Sequence, residues 1–150
     1  MIDKIVAIEK EKSIRTIKNL TMGEEYLQDH FPGFPVMPGV LMLEAMVQSA
    51  AWLLRVTYDF KPTVITLAEA NNIKYGQFFT PGGQLSLTVE LTDQEGELKH
   101  FKGKGETAAG VSCSGKFSLR ATSLEVIYPP LAFRDEILRN YFRNKFKELS

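Results

Sequence analysis

The order of its hydrophobic segments predicts an α+β fold for this chain, on three observations. A single long helix, Val40 to about Tyr58, is apolar nearly all round, the pattern of a helix buried on most faces. The segments after it are strand-like and are separated by clusters of turn-forming residues. The strand–helix–strand alternation of a parallel sheet is missing, so the later segments read as antiparallel hairpins. With 150 residues, 44% of them apolar, the chain has the size and composition of one globular domain with an adequate core.

Taken in order, Lys4 to Glu9 and Ser13 to Asn19 read as two strands joined by a charged turn. The stretch from His30 to Gly39, His-Phe-Pro-Gly-Phe-Pro-Val-Met-Pro-Gly, carries prolines at 32, 35 and 38 that fix φ and withhold backbone donors. Phe31, Phe34 and Met37, each before a proline, are pushed toward extended geometry, so the segment is an extended loop of defined path. Pro38 suits the first turn of the following helix, and Gly39 lets another group approach the backbone there. Strands follow over Thr63 to Tyr75, Gln84 to Leu91, Leu98 to Glu106 and Val111 to Leu119. Alternation is plain in Leu85-Ser86-Leu87-Thr88-Val89-Glu90-Leu91, whose odd positions are apolar. Turns fall at Pro81-Gly82-Gly83, Asp93-Gln94-Glu95-Gly96 and Ala108-Ala109-Gly110. Phe101-Lys102-Gly103-Lys104-Gly105-Glu106 is not a phosphate loop, since no helix follows; its glycines fit curvature or close packing against the helix. After Tyr128-Pro129-Pro130, Leu131 to Leu149 reads as an amphipathic helix with Phe133, Ile137, Leu138, Tyr141, Phe142 and Phe146 on its apolar positions. Residues 1–127 are expected to form the domain and residues 128–150 a helical extension.

The chemistry concentrates at two residues. His30, one of only two histidines, lies in the proline-stiffened loop, and an unperturbed imidazole titrates near neutral pH. Glu44 is a lone carboxylate in an apolar helix, where such a group is rarely buried without a partner. Gln48, four residues on, shares its face and is placed to hydrogen-bond it. Taken singly, each residue has a plain structural reading: a surface histidine, an ion-paired or capping glutamate, a connecting loop. Together they give a base, an acid and, between them, a helix N-terminus with unpaired amides.

The sequence His-Phe-Pro-Gly-x-Pro-x-Met-Pro-Gly-Val-Leu followed by Glu44-Ala45 resembles the signature of the 3-hydroxyacyl-[acyl-carrier-protein] dehydratases of type II fatty acid synthesis. The resemblance runs from about Tyr26 to Phe117 and is densest from His30 to Gln48. It implies a hot-dog fold, a long antiparallel sheet wrapped around a central helix, here with an extra C-terminal helix. It also implies dehydration of a (3R)-hydroxyacyl carrier-protein thioester to the trans-2-enoyl thioester. His30 and Glu44 match the catalytic pair, and the Gly39 backbone N–H matches the position that binds the thioester carbonyl. Glutamate at position 44 resembles the branch that dehydrates without isomerising. In that family the histidine of one subunit faces the acid of its partner, so the resemblance implies a homodimer or a higher assembly of dimers. No organic cofactor is implied, because the phosphopantetheine arm belongs to the substrate. Other thioester chemistry on the same fold (hydrolysis or isomerisation) and non-catalytic binding of an acyl carrier are the alternatives. Where many dehydratases have an arginine-rich stretch and Pro-Gly-Asp, this chain has Tyr75-Gly76-Gln77-Phe78-Phe79 and Pro81-Gly82-Gly83.

Lysine plus arginine and aspartate plus glutamate each number 18, which gives no electrostatic case for nucleic acid. One cysteine, Cys113, excludes an internal disulfide, and two separated histidines make no metal site. Glu44, Gln48 and Arg55 interrupt the helix too often for a membrane span. With no basic segment and apolar run at the N-terminus, a cytoplasmic protein is expected. The tail helix is expected to pack on its own domain or across a dimer, with carrier docking or membrane-surface contact as alternatives.

Overall fold

The computed structural model describes all residues, 1–150. Six antiparallel strands form one sheet: β1 (Lys4–Glu9), β2 (Ser13–Asn19), β3 (Val64–Tyr75), β4 (Gln84–Glu95), β5 (Leu98–Thr107) and β6 (Gly110–Thr122). Their spatial order is β1-β2-β4-β5-β6-β3, which leaves β1 and β3 as edges. The helix α1 (Gly39–Thr57) lies against the inner face, and the alternation in β4 points Leu85, Leu87 and Val89 at it, all buried. Met42, Ala45, Met46, Ala50, Leu53 and Leu54 supply the helix side of this core. The one polar exception is satisfied: Ser49 Oγ donates to the Ala45 carbonyl and lies 2.7 Å from Thr16 Oγ1 on β2. By length and hydropathy α1 is able to cross a bilayer, yet 67% of its apolar window is buried inside this fold.

Close packing of sheet on helix depends on Gly103. A Cβ there would meet Met46 Sδ at 2.8 Å and Phe117 Cε1 at 3.1 Å, so the glycine expected to allow close packing does so.

The strands run longer than the sequence pattern indicates. β4 continues to Glu95, so Asp93, Gln94 and Glu95 lie within a strand and the turn shrinks to Gly96-Glu97. Alternation lapses there because the register slips between Leu91 and Asp93 and Thr92 to Glu95 are exposed. β6 likewise runs on to Thr122.

Beyond the sheet, a short helix α2 (Leu124–Ile127) and a 3₁₀ turn (Pro129–Leu131) lead into α3 (Arg134–Leu149). The helix starts three residues later than expected because the 3₁₀ turn occupies the proline pair. Its inner face packs Phe142 and Phe146 on Trp52 of α1, with ring centroids 6.0 and 6.2 Å away, and Leu149 joins the core. Phe133, Ile137 and Tyr141, assigned to the apolar face from sequence, are instead exposed. Only a narrower row, near Phe142, Phe146 and Leu149, is needed to cover the end of α1.

One half-buried and one buried charged group fix the tail. The Arg55 guanidinium lies over the Phe142 ring, 3.7 Å from its centroid, and burial lowers its pKa to about 10. The Asp135 carboxylate accepts from the Thr63 hydroxyl and from the Leu124 and Glu125 amides, each 2.9 Å away. Burial pushes this carboxyl up, but the Thr63, Glu125 and Leu124 hydrogen bonds and nearby Arg139 outweigh it. The net pKa lies below the ordinary value.

Candidate active site

His30 sits in a loop whose conformation is closed by its own backbone. The Val36 N–H donates to the His30 carbonyl at 3.2 Å, while Val36 and Met37 are buried as anchors. The Met37 N–H donates to the Phe79 carbonyl at 2.9 Å, tying the loop to the connection between β3 and β4. The His30–Phe31 peptide is cis. His30 Nδ1 lies 3.0 Å from the Val36 carbonyl oxygen. A carbonyl only accepts, so Nδ1 carries the proton in this bond and the neutral ring keeps its lone pair on Nε2. The ring is half-buried against Phe31.

Nine residues beyond His30, at Gly39, the loop runs into α1. The amides of its first turn have no intrahelical acceptors, and the helix dipole makes that end positive. Gly39 is the first helical residue, and the approach its missing side chain permits is made by Tyr75. A Cβ at position 39 would lie 2.9 to 3.1 Å from Tyr75 Cε1, Cδ1 and Cζ. Tyr75, at the end of β3, therefore walls the helix N-terminus. Burial and then Cys113 raise its phenol pKa above the ordinary value. The glycine signals a close approach in the sequence, but only the return of β3 to this end of α1 shows which group makes it.

Glu44 lies one turn further into α1, and Gln48 Nε2 donates to its Oε1 at 3.0 Å, the pairing their spacing implies. Val40, Glu44 and Gln48 form the least covered row of the helix, with Val40 65% exposed. Glu44 is half-buried in the single chain, rather than enclosed among apolar side chains. No hydrogen bond or ion pair joins it to His30 within the chain.

The aromatic residues near the loop divide sharply. Phe79 is a core residue, whereas Phe31, Phe34 and Phe78 are exposed, the last two in edge-to-face contact at 5.7 Å. The second histidine belongs elsewhere. His100, on β5, lies 2.7 Å from Ser118 Oγ and 3.8 Å from a Glu95 oxygen. Ser118 is buried in β6, which pairs on both sides, so this serine is neither open to a substrate nor beside free amides. It is a structural pairing across two strands.

The sequence and the fold are both similar to those of known proteins. A family model described as a FabA-like domain matches residues 1–113, three-quarters of the chain. The chain belongs to the FabA-like family. A 3-hydroxyacyl-[acyl-carrier-protein] dehydratase FabZ from Variovorax paradoxus is 39% identical over 116 residues, covering 75% of this chain and 77% of that one. The protein of the same name from Albidiferax ferrireducens is 42% identical over 107 residues, 69% of this chain and 71% of that one. Among solved structures, a dehydratase heterocomplex from Xenorhabdus doucetiae superposes with a TM-score of 0.67 at 15% identity, over 85% of this chain and 88% of the other. A hot-dog-like protein from Thermanaerovibrio acidaminovorans gives 0.66 at 16%, over 85% and 93%. The fold is the hot-dog fold, and α2 and α3 lie outside the matched family domain.

Proposed function

We propose that this protein is a hydro-lyase that converts a (3R)-hydroxyacyl thioester on acyl carrier protein into the trans-2-enoyl thioester, in fatty acid or related lipid biosynthesis in the cytoplasm. The observation that carries the chemical assignment is the tautomer of His30: with Nδ1–H committed to Val36, Nε2 is free to act as a base.

In the reaction, Nε2 takes a proton from Cα and the released electron pair builds negative charge toward the thioester oxygen. The Gly39 N–H, unpaired at a positive helix end, donates to that oxygen. The pair then forms the Cα=Cβ bond as the Cβ–O bond breaks. Glu44, entering as the acid, protonates the leaving hydroxyl so that water departs. Return of the proton from His30 to Glu44, through solvent, resets the site. Gln48 binds Oε1 of Glu44 and leaves Oε2 to carry the proton.

The base and the acid come from different chains of a homodimer in this proposal. The absence of a bond between His30 and Glu44 within one chain supports it, as does the Val40–Glu44–Gln48 row, the least covered of the helix. β3 adds to this: it is an edge strand, exposed from Thr66 to Asn72, that offers unpaired backbone groups to a second β3. Residues 1–127 would carry the catalytic unit, with 128–150 accessory to it.

The test is turnover of a 3-hydroxyacyl carrier-protein thioester, with the conjugated enoyl product followed by absorbance and mass. Wild type should eliminate water, and folded His30→Ala and Glu44→Gln proteins should each lose about a hundredfold or more. Release of free acid without enoyl product would identify a thioesterase, and carrier binding without turnover a non-catalytic acyl-binding protein.

A further inference from the structure

One lane along α1 is open at its N-terminal end and shut at the other. Val40, Glu44, Gln48, Ala51 and Arg55 follow at spacings of four, four, three and four residues, so they share one face of the helix. Cover rises along this face: Val40 is 65% exposed, Glu44 and Gln48 are half-buried, and Ala51 is 7% exposed. Arg55, the last of the row, lies under Phe142 of α3, 3.7 Å from the ring centroid, and 5.3 Å from that of Trp52. Its Nε is buried without a hydrogen-bond partner. The lane thus ends at a cation held by two aromatic rings.

We propose that Arg55 and Phe142 together determine specificity, stopping the substrate's acyl chain at about twelve carbons. The proposal rests on the dehydratase reading, in which Cβ of the substrate meets Glu44. The carrier-linked arm enters from solvent, and the Val40 end of the lane is the open one, so the rest of the acyl chain runs toward Ala51. Between Glu44 and Ala51, seven residues apart, the helix rises about 10 Å. An extended chain with C–C bonds of about 1.5 Å advances roughly 1.25 Å per bond, so about eight carbons beyond Cβ fill the lane. The first three carbons of the acyl group complete the count.

A longer chain has to pass Ala51 and lift Phe142 from Arg55. That exchange is unfavourable on two counts. The guanidinium loses its aromatic face, and it gains hydrocarbon where its Nε already lacks an acceptor. α3 is not free to swing aside, because Phe146 packs on Trp52, Leu149 joins the core, and Asp135 ties the start of the helix to α2. Phe142 also lies beyond residues 1–113, the part that matches the FabA-like domain. The stop is therefore supplied by this chain's own tail and not by the matched domain.

The experiment measures kcat/KM of the full chain on a series of 3-hydroxyacyl carrier-protein thioesters that differ only in acyl length. Wild type is expected to favour the eight-carbon over the sixteen-carbon substrate by about tenfold or more, the scale on which a pocket discriminates methylenes. Phe142→Ala removes the stop, and Arg55→Met removes its charge while keeping its length. Each should lower that preference by about tenfold. A ratio taken within one preparation does not depend on the fraction folded, so lost stability cannot imitate the effect. Equal turnover of both lengths by wild type, or a ratio unmoved in both variants, overturns the proposal. If no length yields enoyl product, the dehydratase reading has failed, and affinities for the same thioesters decide the matter. Binding that weakens beyond about twelve carbons and recovers in Phe142→Ala upholds the stop; affinity independent of length overturns it.

Discussion

At the scale of single residues, the site is defined by which atoms are already committed. His30 Nδ1 is held by Val36, Glu44 Oε1 by Gln48, and the face of Gly39 by Tyr75. What remains free is Nε2, Oε2 and the first amide of α1, the three groups an elimination needs. Gly39→Ala should therefore act through Tyr75: the new methyl displaces the ring, and turnover falls. Combining it with Tyr75→Ala should recover part of the loss, with a coupling of roughly 1 kcal/mol in a double-mutant cycle of kcat/KM. Strictly additive losses would show that Tyr75 does not set the space at the helix N-terminus. His30, Glu44 and Gln48 are legible in the sequence because the proline loop and the i,i+4 spacing are local signals. Tyr75 is not, because it reaches Gly39 only through a strand that begins 25 residues later.

At the scale of elements, local chemistry marks the strands and tertiary context decides their ends. Odd-position apolar residues in β4 reveal its buried part, but from Thr92 to Glu95 nothing packs on the strand and the pattern disappears although the ladder continues. Gly103 is readable as a packing glycine, and Gly103→Ala should cost about 1–3 kcal/mol by pressing on Met46 and Phe117, measured by denaturant unfolding. α2 escapes a sequence reading because four residues carry no periodicity; it is held by Asp135, eight residues beyond its end. Asp135→Ala strands the Leu124 and Glu125 amides and should cost about 2–3 kcal/mol, or roughly 5–10 °C in Tm.

The same carboxylate carries a pH signature. Its folded pKa lies below the ordinary value, so the folded state binds the proton less readily than the unfolded chain. Its stabilisation is therefore complete above the unfolded pKa of about 3.9 and is lost as pH falls through the folded value. Wild type should lose stability more steeply than Asp135→Ala on acidification below about pH 4, and parallel slopes would assign the acid sensitivity to other groups.

For the whole molecule, the two ends of α1 are finished differently. One end gathers the loop, the helix N-terminus and the return of β3. The other is sealed by α3, which turns aromatic residues both inward and outward. Hydrophobic spacing alone does not separate those two faces, because Phe133, Ile137 and Tyr141 repeat at helical intervals just as Phe142 and Phe146 do. Only the position of Trp52 decides which set is buried.

In the proposed dimer the dehydrating site is shared between two chains, with His30 from one and Glu44 from the other. Its most direct test is co-expression of His30→Ala with Glu44→Gln, followed by assay of enoyl thioester formation. Each variant alone is inactive in this account. Random pairing makes half of the dimers mixed, and each mixed dimer holds one intact site of its two. The mixture should therefore show roughly a quarter of wild-type turnover. A mixture as inactive as its parents, with mixed dimers confirmed by mass, would contradict the shared site.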